Sequence, residues 1–91
     1  MTSSNTSATS AFTARTIQRL PALLAERGIS RSQHYLDIKN RLWIAPVKLG
    51  LKASGWPMGE TAQLMAARIA GKTPDEIRGL VAKLVADRSK S

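Results

Sequence analysis

Gly28-Ile29-Ser30-Arg31-Ser32-Gln33 is the stretch whose reading decides the fold. Glycine takes a left-handed backbone without steric cost, so Gly28 can close one helix, and the Ser30 hydroxyl can cap the free N–H groups opening the next. Ile29, between them, is placed to anchor in the core. This punctuation predicts two short helices joined by a tight turn. The first begins at Pro21, suited to the first helical position, and runs through Ala22, Leu23, Leu24, Ala25 and Glu26. The second covers Arg31 to Arg41. Its spacing turns Tyr35, Ile38 and Leu42 inward and leaves Arg31, Ser32, Gln33 and Lys39 facing outward.

Downstream of Leu42 and Trp43 the pattern changes to strand-like alternation over Ala45-Pro46-Val47-Lys48-Leu49-Gly50. Ala53-Ser54-Gly55-Trp56 can return antiparallel to it, with Gly50-Leu51-Lys52 at the tip and Pro57 as the end. A helix follows from Glu60 to Ala70, with Thr61, Leu64, Met65, Arg68 and Ile69 in helical register and Gly71 as its stop. Thr73-Pro74-Asp75-Glu76 then combines an N-cap, a first-turn proline and a capping-box glutamate. The last helix, about Pro74 to Arg88, carries Ile77, Leu80, Val81, Leu84 and Val85 along one stripe. That stripe has two readings, an extension of the core or a contact surface for another copy.

Upstream, Met1 to Thr16 is rich in Ser and Thr with one aromatic, Phe12, and reads as a disordered tail. It lacks the basic and apolar regions of a secretory signal. The domain therefore spans 17–91, mainly α with a small β-hairpin: a winged helix-turn-helix with an added C-terminal amphipathic helix.

Composition narrows the function. Fourteen Lys and Arg against six Asp and Glu give a net charge of +8 over 91 residues, which favours a polyanionic partner without naming it. With no cysteine there is neither a disulfide framework nor a thiolate zinc site, which points to a reducing, cytoplasmic setting, and a DNA-binding role would make it nucleoid-associated. His34 is the lone histidine and has no second ligand at metal-site spacing, so it is expected to be packed or DNA-facing, and no cofactor is implied. No apolar run is long enough to span a bilayer. Asp75 and Glu76 are explained by the first helical turn. No nucleophile elbow, phosphate loop or metal-ligand pair appears, which argues against an enzyme.

Ser30-Arg31-Ser32, then Pro46-Val47-Lys48-Leu49-Gly50, then Gly55-Trp56-Pro57 stand in an order that resembles the AlpA family of prophage regulators. The likeness runs from about Leu20 to Arg88 and includes Ala66-Ala67-Arg68-Ile69-Ala70-Gly71. It implies the winged helix-turn-helix shared with MerR-type regulators and with small excisionases, the recombination directionality factors that turn an integrase towards excision. It further implies that the helix matching Arg31 to Arg41 enters a major groove and that the hairpin matching Val47 to Trp56 touches backbone or minor groove. One departure stands out: His34 and Asp37 occupy positions where many relatives carry an apolar residue and a Leu.

The candidate DNA contacts are Arg31, Ser32, Gln33, Tyr35, Lys39, Arg41, Lys48 and Lys52. Arg31 can take a guanine edge or a phosphate, and its plain alternative is a surface pair with Glu26 or Asp37. Ser32 and Gln33 can bond bases or phosphates. Tyr35 can bury its ring and offer its hydroxyl to a phosphate, or be core alone. Lys39 and Arg41 also suit the negative end of a helix dipole, whereas Lys48 and Lys52 have fewer structural reasons to be basic. Trp43 and Trp56 read as core plugs. Ile77, Leu80, Val81, Leu84 and Val85 are the candidate self-association residues. The leading function is sequence-specific binding of double-stranded DNA by a protein of a mobile element, as excision factor, transcription regulator or both, with self-association on DNA and a site-specific integrase as partner. Alternatives are a protein-interaction module with non-specific nucleic-acid binding and, more remotely, a membrane-surface helix.

Overall fold

The computed structural model describes residues 16–89. Within them the chain is mainly helical with a small antiparallel sheet. The order is β1 (Ile17–Gln18), α1 (Leu20–Arg27), α2 (Arg31–Lys39), β2 (Val47–Lys48), β3 (Ser54–Pro57), α3 (Met58–Ile69) and α4 (Pro74–Arg88). All but one of the residues read as a disordered tail lie outside the described ones. The exception, Thr16, is in place, its carbonyl accepting the Met58 N–H at 2.7 Å.

The two chain signals that opened the sequence reading act locally. Gly28 sits at φ 68° with its N–H on the Leu24 carbonyl, and the Ser30 hydroxyl accepts the Gln33 N–H at 3.1 Å. At the start of α4 the Thr73 side chain caps Glu76 while the Glu76 carboxylate accepts the Thr73 N–H at 2.9 Å. That bond holds the Glu76 carboxyl below its usual pKa.

β2 and β3 form the expected hairpin, with Val47 opposite Gly55 and Lys48 opposite Ser54. β1 was not expected. It pairs antiparallel with the other edge of β3, Ile17 opposite Pro57 and Gln18 opposite Trp56, so β3 is the central strand. Gly55 permits this approach: a Cβ there would overlap Ile17 Cγ2 and crowd the Gln18 carbonyl.

The core joins Leu23 of α1, Trp43 and Ile44 from the connection, Trp56 of β3, Leu64 of α3, and Ile77, Val81 and Leu84 of α4. Both tryptophans are sealed inside, and the Trp56 indole donates to the Ile44 carbonyl at 2.8 Å. Ile29 is only half-buried and lies outside this cluster. The last-helix stripe is therefore largely internal. Ile77, Val81 and Leu84 belong to the core and Leu80 packs against it, which leaves Val85 as the stripe residue with substantial exposure. Of the candidate self-association residues, Ile77, Val81 and Leu84 are buried within the chain itself, as the core reading of the stripe expects.

Helix α2 also differs from expectation. It ends at Lys39, and Arg41 follows in a left-handed turn at φ 62°. Its inward residues are His34 and Asp37, with Ile38 partly buried, while Tyr35 is 48% exposed. One position along a helix is a rotation of about 100°. The apolar spacing of Tyr35 gave the wrong rotation because a pair of polar residues occupies the inner face. Ile69, expected in register on α3, is 81% exposed. Among the described residues no helix is long and apolar enough to cross a membrane.

Candidate nucleic-acid interface

What holds α2 is a buried polar cluster. Arg27, at the end of α1, places Nη2 2.7 Å from Asp37 Oδ2 and Nη1 2.8 Å from His34 Nδ1. Its guanidinium lies 3.9 Å from the centre of the Trp43 ring, a cation–π contact. Gln33 donates to the other Asp37 oxygen at 2.8 Å. Burial pulls the Arg27 pKa down, and Asp37 opposes that pull. A guanidinium only donates, so His34 Nδ1 must accept and the imidazole proton resides on Nε2. Burial, then the positive charge of Arg27, lowers the His34 pKa and keeps the ring neutral. Nε2 is buried without a hydrogen-bond partner, as is Trp43 Nε1. The ring is edge-on to Trp56 at 5.0 Å and to Tyr35 at 5.4 Å. Helix α2 is thus docked on β3 through His34 and on α1 through Asp37.

The far end of α2 is held by the C-terminal helices. Arg68 of α3 donates to the Leu42 carbonyl at 3.1 Å, and Arg78 of α4 donates to the Asn40 carbonyl at 3.0 Å. Arg88 grips Glu60 through two nitrogens and reaches the Ala45 carbonyl at 2.8 Å. Cations near the last carbonyls of a helix complement its dipole. These arginines belong to the scaffold, which the sequence reading did not foresee. Asp37, once turned to the inner face beside His34, requires a buried cation, and Arg27 supplies it.

On this frame the candidate contacts divide. Arg31, Ser32 and Lys39 are exposed on α2, Arg41 is exposed just beyond it, and Lys48 and Lys52 are exposed on the hairpin. Gln33 is exposed but its amide nitrogen is committed to Asp37. Tyr35 reaches solvent with its ring against His34. The carboxylates Glu26, Asp37, Glu60, Asp75 and Glu76 are engaged elsewhere: with Gln18, Arg27, Arg88, Arg78 and Thr73 respectively. Arg31 therefore pairs with neither Glu26 nor Asp37. From Ile38 to Gly59 the sequence has no acid at all. α2 and the hairpin present a run of exposed positive charge, which attracts phosphate.

Compared with known protein families, with characterised proteins and with solved structures, the chain finds no match. Among the described residues no group of three or more His, Asp or Glu side chains is arranged to hold a metal ion.

Proposed function

We propose that this chain is a sequence-specific double-stranded DNA-binding protein of a mobile genetic element, with α1 and α2 as a helix-turn-helix and β2–β3 as its wing. The observation carrying this reading is that Arg31, Lys39, Arg41, Lys48 and Lys52 are all exposed, while Glu26, Asp37, Glu60, Asp75 and Glu76 are committed to other partners in the fold. Arg31 and Ser32, in the first turn of α2, reach base edges. Tyr35, Lys39 and Arg41 meet phosphates, and Lys48 and Lys52 meet the backbone beside the groove. Role and family follow the AlpA-like resemblance: an excision factor, a transcription regulator, or both.

Gel-shift titration at two salt concentrations, against a duplex selected from a random pool and against an unselected one, tests this. The selected duplex should stay bound as salt rises and the unselected one should be lost. Equal loss of both sinks the reading. An integrase-dependent excision reaction on paired attachment sites, with and without the chain, separates the two roles. One short helix and one small hairpin cover little DNA, so several copies side by side complete a specific site. Sedimentation of the complex counts them, and Val85 is the last-helix residue left to join them.

A second reading, a protein-contact module, has the 81% exposure of Ile69 in its favour. Loss of partner capture, with unchanged DNA binding, in Ile69→Ser would mark it.

A further inference from the structure

The hairpin tip carries side chains that its geometry does not require. Between β2 and β3 the chain reads Lys48-Leu49-Gly50-Leu51-Lys52. The Leu49 N–H donates to the Ala53 carbonyl at 2.8 Å and closes the reversal. Such positions favour Asn, Asp, Ser and Gly, which support a turn by their own chemistry. Leu51 instead stands 103% exposed, as open as in an extended chain, and Leu49 is about half exposed. A leucine placed there gains nothing from folding, since its apolar surface stays in water. Exposed lysines flank it on both sides, and no carboxylate occurs on the hairpin.

A partner that matches this arrangement is anionic at its rim and apolar within. The minor groove of a duplex takes on that character where a base step parts: phosphates border it, and the apolar base faces open between the unstacked pairs. Resting on the DNA-binding reading above, we propose that Leu51 is a wedge that inserts between two base pairs from the minor groove and bends the duplex. Lys48 and Lys52 neutralise the adjacent phosphates. Flexible pyrimidine–purine steps such as TA accept the wedge most readily. The lever behind it is firm, because Trp56 is buried and bonded to Ile44, and β3 is clasped between β1 and β2. An anionic lipid surface shares some of this chemistry, but it calls for a broad apolar face that two leucines do not make.

The probe is a duplex of about 30 base pairs with central TA steps, dye-labelled at both ends and carrying 2-aminopurine at those steps. Saturating it with the full chain should bring the ends closer and raise the 2-aminopurine emission. Leu51→Ala removes a side chain the fold does not use. It should bind about tenfold more weakly and leave both signals at their free-DNA values when saturated. Leu51→Met should restore them. Lys48→Ala with Lys52→Ala should weaken binding yet still bend the duplex at saturation. Bending by Leu51→Ala equal to that of the unaltered chain, or binding by the unaltered chain without bending, overturns the wedge alone. No binding to any duplex overturns the DNA reading with it. Tighter binding to phosphatidylglycerol vesicles than to the duplex, lost in Leu51→Ala, assigns the tip to lipid and overturns the wedge.

Discussion

Arg27 and Asp37 meet at 2.7 Å with side-chain exposures of 2% and 5%, an ion pair enclosed between α1, α2 and the Trp43 ring. Arg68 approaches the same carboxylate at 3.6 Å from the solvent side. Arg27, Arg68 and Gln33 all converge on this carboxylate.

Breaking such a pair from one side leaves a buried charge without its counterpart, at about 3–5 kcal/mol. Asp37→Ala should therefore lower the urea midpoint severely. Arg27→Met with Asp37→Leu, which removes both charges, should recover much of the loss although Gln33 and His34 each lose a partner. A double variant no more stable than Asp37→Ala would contradict this account.

His34 makes stability depend on pH. Its folded pKa lies below the unfolded value near 6.5, because burial and Arg27 disfavour the imidazolium. Above that value the ring is neutral in both states and stability is complete. As pH falls below it the unfolded chain takes the proton first, so stability is lost down towards the folded pKa. Urea midpoints at intervals from pH 7.5 downwards should fall for the native chain, and His34→Asn should flatten that part of the profile. A native profile already flat there removes His34 from the explanation.

Arg41 and Gly71 end successive helices in the same way. Both are left-handed, at φ 62° and 78°, and in each turn the following N–H returns to the helix, Leu42 to the Asp37 carbonyl and Lys72 to Ala67. Only Gly71 is free of the Cβ penalty. Arg41→Gly should stabilise the chain by about 0.5–1 kcal/mol in urea titration while reducing the salt dependence of duplex binding by about one phosphate contact. An arginine in a left-handed position, where glycine would be free of strain, points to a use outside the fold. Unchanged DNA binding would leave the strain without that explanation.

Gly55→Ala would drive a methyl group into Ile17 and the Gln18 carbonyl. β1 should detach, at about 1–3 kcal/mol. Hydrogen exchange checks it: protection of the Met58 amide, held by Thr16, should drop well before that of amides within α4.

Much of the frame was legible in the residues. Gly28 and Ser30 fixed the turn between α1 and α2, and Thr73, Pro74 and Glu76 fixed the start of α4, because capping chemistry is local. The hairpin was legible from its alternation. β1 was not, because Ile17 and Gln18 form a strand only by pairing with β3, far along the chain. Nor was the rotation of α2. Hydrophobic spacing assumes that polar side chains face water, and Arg27 makes His34 and Asp37 exceptions. The candidate contacts Arg31, Ser32, Lys39, Arg41, Lys48 and Lys52 were legible as exposed positions because little in the fold competes for them, whereas Gln33 was diverted to Asp37.

The place of β3 in the sheet has a consequence for handling the chain. Its first edge is covered by β1, which joins it across a loop of about 40 residues and so docks late in folding. Until it docks, or in any truncation that begins after Gln18, that edge is open, with bare N–H and C=O groups that can recruit a strand from a neighbouring molecule. Shortened forms should therefore keep Thr16 to Gln18 if they are to stay unaggregated during refolding.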